Sequence, residues 1–148
     1  MTEGCNLRCR HCWIAPPYRG ETLISPALDL PLFRSIVEQA KPLGLSSVKL
    51  TGGEPLLHPR ISGILHYLSG EDVGLNVETN GVLCTPERAG EIARCKDPFV
   101  SVSIDGANAE THEWVRGVEG CFRAALEGIR NLVAAGLHPQ VIMTIMRR

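Results

Sequence analysis

The chain has 148 residues, a formal charge of −1 and a pI near 6.5, which makes it one domain's worth of polypeptide, long enough to bury a core. It carries no basic stripe for a nucleic acid, no apolar stretch that approaches a membrane span, and no charged-then-apolar leader ahead of its first cysteines. Aromatic residues make up only 5% of it, so the core is expected to be aliphatic.

The first feature along the chain is Cys5-Asn6-Leu7-Arg8-Cys9-Arg10-His11-Cys12, three thiols within eight residues. A loop with that spacing can turn its sulfurs to one centre. Three protein thiolates cap three irons of a [4Fe–4S] cluster, whereas a closed cluster or a structural zinc site takes four ligands. The missing fourth ligand is informative, because an open iron can bind a small molecule and act on it. A secreted disulfide framework is disfavoured, since the chain is not small and half of its six cysteines are clustered. A reducing cytoplasm is the expected compartment.

Helix-like and strand-like segments then alternate. Residues 25–40 place Leu28, Leu32, Ile36, Val37 and Ala40 at helical spacing, with Pro26 near the start. Residues 47–50 read as a strand, 61–68 as a helix, 74–78 as a strand and 86–94 as a helix. Residues 99–104 alternate with period two, which turns the hydroxyls of Ser101 and Ser103 to one face. A helix over 121–135 is closed by Gly136, and 140–146 is an apolar, β-branched strand.

Strands recurring about every 25 residues with helices between them predict βαβ units on a parallel sheet. A complete (β/α)8 barrel takes about 250 residues, so the expectation is an α/β partial barrel of about four to five βα units, incomplete at both ends. Residues 1–3 are too few for a strand ahead of the cysteine loop, and no helix follows the last strand. Residues 1–148 are thus expected to form one partial core domain that lacks a first strand and later strands. Polar turns fall at the strands' carboxyl ends: Thr51-Gly52-Gly53-Glu54-Pro55, Thr79-Asn80-Gly81 and Asp105-Gly106. That end of a parallel α/β sheet carries the ligand site. Gly52 and Gly53 would let backbone groups approach a ligand, and Glu54 supplies a carboxylate for an ammonium group. A tight strand-to-helix turn stopped by Pro55 explains the same residues, and Asn80-Gly81 is also a common turn pair.

The Cys5-x3-Cys9-x2-Cys12 spacing and Gly52-Gly53-Glu54-Pro55 resemble the hallmark and second motif of the radical S-adenosylmethionine (SAM) superfamily. Ser103-Ile104-Asp105-Gly106, His112, Arg116-Gly117 and Gly120-Cys121-Phe122 resemble its branch of peptide- and cofactor-maturing enzymes. That branch often carries a cysteine-rich C-terminal SPASM or twitch extension, and no such cluster of cysteines follows here. The resemblance implies a TIM-like barrel of the radical SAM type with Cys5, Cys9 and Cys12 as cluster ligands. It implies that Gly52, Gly53 and Glu54 hold the methionine ammonium of SAM, and that Ser103 contacts its ribose or carboxylate. Asn80 would lie near the same ligand, Arg116 would pair with its carboxylate, and His11 would stand beside adenine where relatives have an aromatic ring. The implied reaction is reductive cleavage of SAM to methionine and a 5′-deoxyadenosyl radical, which abstracts hydrogen from a peptide or small-molecule substrate. Flavodoxin or ferredoxin would be the reductant, and no nucleic-acid or membrane partner is expected. Two other readings stay open: an incomplete fragment that only binds metal, as an iron–sulfur cluster or as zinc on the three thiols and His11 or a water, and a glycyl-radical activase. Cys84, Cys95, Cys121, Trp13 and Trp114 read as packing residues, and His112 as a residue of the loop after strand 99–104, free to face substrate.

Overall fold

The computed structural model describes residues 1–14 and 27–147. Strands β1 (Ser47–Leu50), β2 (Gly74–Thr79), β3 (Lys96–Ser103) and β4 (Gln140–Ile142) lie side by side in that order, every neighbouring pair parallel. The helices are α1 (Leu30–Ala40), α2 (Ile61–Ser69), α3 (Pro86–Ala93), α4 (Ala109–Arg116) and α5 (Cys121–Ala134). One helix links β1 to β2, one links β2 to β3, and two link β3 to β4. Parallel neighbours need such crossovers, because each chain must return to the amino edge before it pairs again. The outcome is the α/β partial barrel expected from the sequence, with all four carboxyl ends on one rim.

Strand periodicity sorts the side chains between two faces. Leu50, Leu75, Val77, Val100 and Val102 are buried with Ile64, Leu65 and Leu68 of α2, Ile92 of α3 and Leu132 of α5. The core is aliphatic, as the composition implied. The opposite, concave face carries Lys49, Asn76, Glu78, Ser101 and Ser103, and there Lys49 pairs with Glu78. Both strand hydroxyls thus fall on the inner face. Ser101 Oγ donates to Gln140 Oε1 at 3.4 Å.

The helix ends follow their local signals. Thr85 caps α3 by accepting from Arg88 N, with Pro86 in the first turn. Gly136, at φ +84°, ends α5 by donating to Val133 O at 3.0 Å.

Four details differ from the sequence reading. On α1 the buried stripe is Leu30, Phe33 and Val37, while Leu32 and Ile36 are about half exposed. Two apolar stripes compete on this helix, and the packing partner chooses between them: Phe33 meets Tyr67 edge-on at 6.2 Å. The start placed at Ser25 and Pro26 lies outside the described residues. β3 begins at Lys96 rather than Phe99, with a register shift that opposes two steps of β2 to three of β3. The extra residue lies around Asp97 (φ +42°) and Pro98, and a bulge accommodates a proline that has no N–H for the ladder. β4 is only Gln140–Ile142, because Thr144 N turns to Asp105 Oδ1 at 2.9 Å instead of continuing the sheet. Finally, α4 occupies a stretch read as loop, and His112 lies on it.

Candidate functional site

The cysteine loop is fixed at three places on the rim. At its start, Gly53 N donates to Thr2 O at 2.9 Å and Glu54 N to Gly4 O at 2.8 Å. In the middle, Asn80 Nδ2 donates to Asn6 Oδ1 at 2.7 Å, and Leu7 is buried. Further on, Arg8 N donates to Arg116 O at 2.9 Å and Arg10 N to Val115 O at 2.8 Å. Those acceptors are carbonyls of the last turn of α4, which have no partner within their own helix. Arg10 reinforces the join, with Nε donating to Trp114 O at 2.7 Å and its guanidinium 4.7 Å from the Trp114 ring centre. Gly117 ends α4 at φ +73°, and a Cβ there would stand 2.5 Å from Arg8 O. The helix that the sequence reading missed is therefore half of the clamp on the cysteines. Its boundary signals were present: Asn108 accepts from Thr111 N as the N-cap, Glu110 lies in the first turn, and Gly117 follows the last residue.

The two glycines of the β1 turn have a nearer neighbour than any ligand. A Cβ on Gly52 would lie 2.8 Å from Thr2 O, and one on Gly53 would lie 2.1 Å from Gly4 O. Their missing side chains make room for the strand of backbone that leads into Cys5. Glu54 also departs from the expectation. Its carboxylate is fully buried and accepts from Leu56 N at 3.1 Å, Thr79 Oγ1 at 2.8 Å and Asn80 N at 2.8 Å. Burial pushes its pKa up, against the hydrogen bonds that hold it down. Instead of presenting a free carboxylate to an ammonium group, Glu54 ties the β1 turn to the β2 turn.

Asn80 is buried and accepts from Val82 N at 3.0 Å through Oδ1, so it shapes its own turn while bracing Asn6. The resemblance gave Arg116 to a ligand carboxylate, but the carboxylate beside it is the chain's own. Arg116 Nε lies 2.6 Å from Asp105 Oδ2, with both side chains buried, and Arg116 Nη1 donates to Cys9 Sγ at 3.5 Å. His112 is buried on α4 rather than open in a loop, and its Nδ1 accepts from Asp105 N at 3.1 Å. The ring proton is therefore assigned to Nε2, and burial, aided by Arg116, lowers the pKa. His112 holds the Asp105 turn and does not face the cavity.

Cys5, Cys9, His11, Cys12, Gly52, Gly53, Glu54, Asn80, Ser103 and Arg116 all line one cavity of about 430 Å³. The residues that the resemblance assigns to the cluster and SAM are thus brought to one place, whereas His112 is not. The donor set fits an iron–sulfur group. The three cysteines are free and half-buried, Leu7 N reaches Cys5 Sγ at 3.5 Å, and Arg116 reaches Cys9. His11 adds a buried Nδ1 with no partner among the described residues. Burial raises the Cys5 thiol to about 11; it also raises Cys9, opposed by Arg116. Among the described residues, no group of three Cys, His, Asp or Glu side chains is placed to hold a single metal ion. Cys84, Cys95 and Cys121 are buried, their thiols raised by that burial to about 12, 11 and 11. They pack, as expected, whereas Trp13 is 91% exposed at the cavity mouth and does not.

A sulfur-lined cavity on the carboxyl rim of a parallel partial barrel defines a cofactor-binding α/β domain. The sequence model of the Radical SAM superfamily matches residues 1–147, and the chain belongs to that superfamily of enzymes, which use a [4Fe–4S] cluster and SAM. It is 39% identical to an AdoMet-dependent heme synthase of Methanosarcina barkeri over all of this chain and 42% of that protein. It is 33% identical to the mycofactocin maturase MftC of Mycobacterium tuberculosis, again over all of this chain and 37% of that protein. The chain thus spans about two fifths of the length of these relatives. Its fold matches SuiB of Streptococcus suis bound to S-adenosylmethionine with a TM-score of 0.78 and 21% identity, covering 95% of this chain and 31% of SuiB. SuiB has also been solved bound to its precursor peptide SuiA. Among the described residues, no helix is long and apolar enough to cross a membrane.

Proposed function

We propose that Cys5, Cys9 and Cys12 hold a [4Fe–4S] cluster and that the cavity beside them binds SAM for radical chemistry on a peptide or a peptide-derived cofactor precursor. The observation that carries this reading is the shared cavity: three cysteines from one loop, the turns after β1 and β2, and Ser103 at the end of β3 line the same space. When bound, the cluster supplies the electron that cleaves SAM to methionine and a 5′-deoxyadenosyl radical, the hydrogen-abstracting agent. The chain's own part is to orient and to exclude water. With the Glu54 carboxylate engaged internally, the backbone of Gly52–Glu54 is left as the hydrogen-bonding edge for an ammonium group. Ser103 Oγ, on the concave face, offers a donor and acceptor for a ribose or carboxylate, and His11 offers a ring for adenine. Flavodoxin or ferredoxin in a reducing cytoplasm fits the six free thiols.

Anaerobic reconstitution followed by dithionite tests the reading. The expected result is about four irons and four sulfides per chain, release of 5′-deoxyadenosine, and loss of both when Cys5, Cys9 or Cys12 is changed to alanine. One zinc per chain, or iron retained by the alanine variants, refutes it. The identity to a heme synthase favours a second reading of the substrate, a haem precursor in place of a peptide. The two separate by which class of compound accelerates 5′-deoxyadenosine release.

A further inference from the structure

Arg116 ends α4 with its side chain folded back under the cysteine loop. Its backbone carbonyl takes the N–H of Arg8, and its Nη1 donates to Cys9 Sγ at 3.5 Å. The guanidinium is locked from behind by Asp105, whose Oδ2 lies 2.6 Å from Nε, the two side chains being 0% and 9% exposed respectively. Asp105 is itself held, accepting from Thr144 N at 2.9 Å through Oδ1 and donating its own N–H to His112 Nδ1. A chain of contacts therefore runs from Thr144, just beyond β4, through the buried Asp105–Arg116 pair to one sulfur of the trio. The arrangement is costly in isolation, because a buried ion pair must overcome the loss of hydration of both charges. It also places a cation where the carbonyl end of α4 would otherwise oppose negative charge on the sulfur.

We infer that Arg116, oriented by Asp105, is a positioning residue that sets the reduction potential of the cluster through its hydrogen bond to Cys9 Sγ. This rests on the cluster reading above. Reduction adds one negative charge to the cluster, and hydrogen bonds to its sulfurs and the local net charge are among the factors that fix its potential. A charged donor on Cys9 favours the reduced state, so it eases delivery of the electron on which SAM cleavage depends. Because the donor is buried and backed by a carboxylate, it does not swing away when the cavity fills.

The test is a potentiometric titration of the reconstituted protein without SAM, followed by the electron paramagnetic resonance signal of the reduced cluster, with iron and sulfide measured on every sample. Without SAM, any contact of Arg116 with that ligand drops out. Arg116→Met is expected to lower the reduced-to-oxidised ratio at fixed potential about tenfold, a shift of about 59 mV to more negative values for one electron. Arg116→Lys, which keeps the charge, is expected to stay within about threefold of the parent. Because Arg116→Met leaves Asp105 buried and unpaired, the double variant Asp105→Asn/Arg116→Met is titrated as well; it keeps the local net charge and loses only the hydrogen bond, so a smaller shift, still to more negative values, is expected. A full cluster in either variant with a midpoint at or above the parent's overturns the inference, as does a lysine variant shifted as far as the methionine one. Absence of iron and sulfide from the parent protein sinks the cluster reading instead, and this inference with it.

Discussion

Changing Gly53 to alanine should loosen the cysteine loop from the barrel rim. A Cβ at that position stands 2.1 Å from Gly4 O and 2.9 Å from Glu3 O. A carbon beside a carbonyl oxygen settles at about 3.3 Å, so the leading segment must retreat by roughly 1 Å. The Gly53 N to Thr2 O and Glu54 N to Gly4 O bonds, at 2.9 and 2.8 Å, cross that same gap. Breaking two such bonds costs about 2–3 kcal/mol, which for a chain of this size lowers Tm by about 5–10 °C. Cys5 follows Gly4 directly, and a site held to within about 0.5 Å does not survive a displacement twice that size. Iron and sulfide content after anaerobic reconstitution should therefore fall below about half of the parent's. The control is Gly90→Ala within α3, where the nearest atom to a new Cβ is Arg94 Nη1 at 3.9 Å. It should keep full iron and gain about 0.5–1 kcal/mol from helix propensity. Thermal melts and metal analysis read both outcomes. A Gly53→Ala protein that matches the parent in Tm and in iron content refutes the reasoning.

Two further outcomes follow from the buried groups. Glu54 is a carboxyl whose folded pKa is raised by burial above its ordinary value of 4.5. Its contribution to stability is therefore complete below pH 4.5 and is lost as pH rises through the folded value. In metal-free, reduced protein, the stability gap between parent and Glu54→Gln should be widest near pH 4.5 and shrink toward neutrality; a gap that widens with pH contradicts the assignment. Cys84, Cys95 and Cys121 are buried among core residues rather than at the cavity. Alanine at each should lower stability by about 1–2 kcal/mol and leave iron content unchanged, whereas loss of iron from any one of them would make it part of the site.

The sequence carried the barrel because its signals are local. Period-two strands, helix stops such as Gly136, and polar turns after each strand are set by backbone sterics and side-chain alternation within a few residues. The same holds for the cysteines, whose spacing along one loop limits how far apart three sulfurs can lie. α4 was harder, since its buried residues are His112, Val115 and Arg116. No apolar stripe marks a helix whose inner face is a histidine and an ion pair, although its Asn108 cap and Gly117 stop were there to be read.

What the chain alone could not decide is where each polar group finds its partner. Glu54 and the Gly52-Gly53 pair were assigned to a ligand from their chemistry and Arg116 from the family resemblance, yet each meets the chain itself: the β2 turn, the backbone of Thr2–Gly4, and Asp105 with Cys9. Apart from Asp105, which precedes Arg116 by three turns' worth of chain, those partners lie tens of residues or more away in sequence. A carboxylate or guanidinium has the same charge whether it faces a ligand or a neighbouring loop. Only the closing of the parallel sheet, which gathers four loops on one rim, determines which of them it meets.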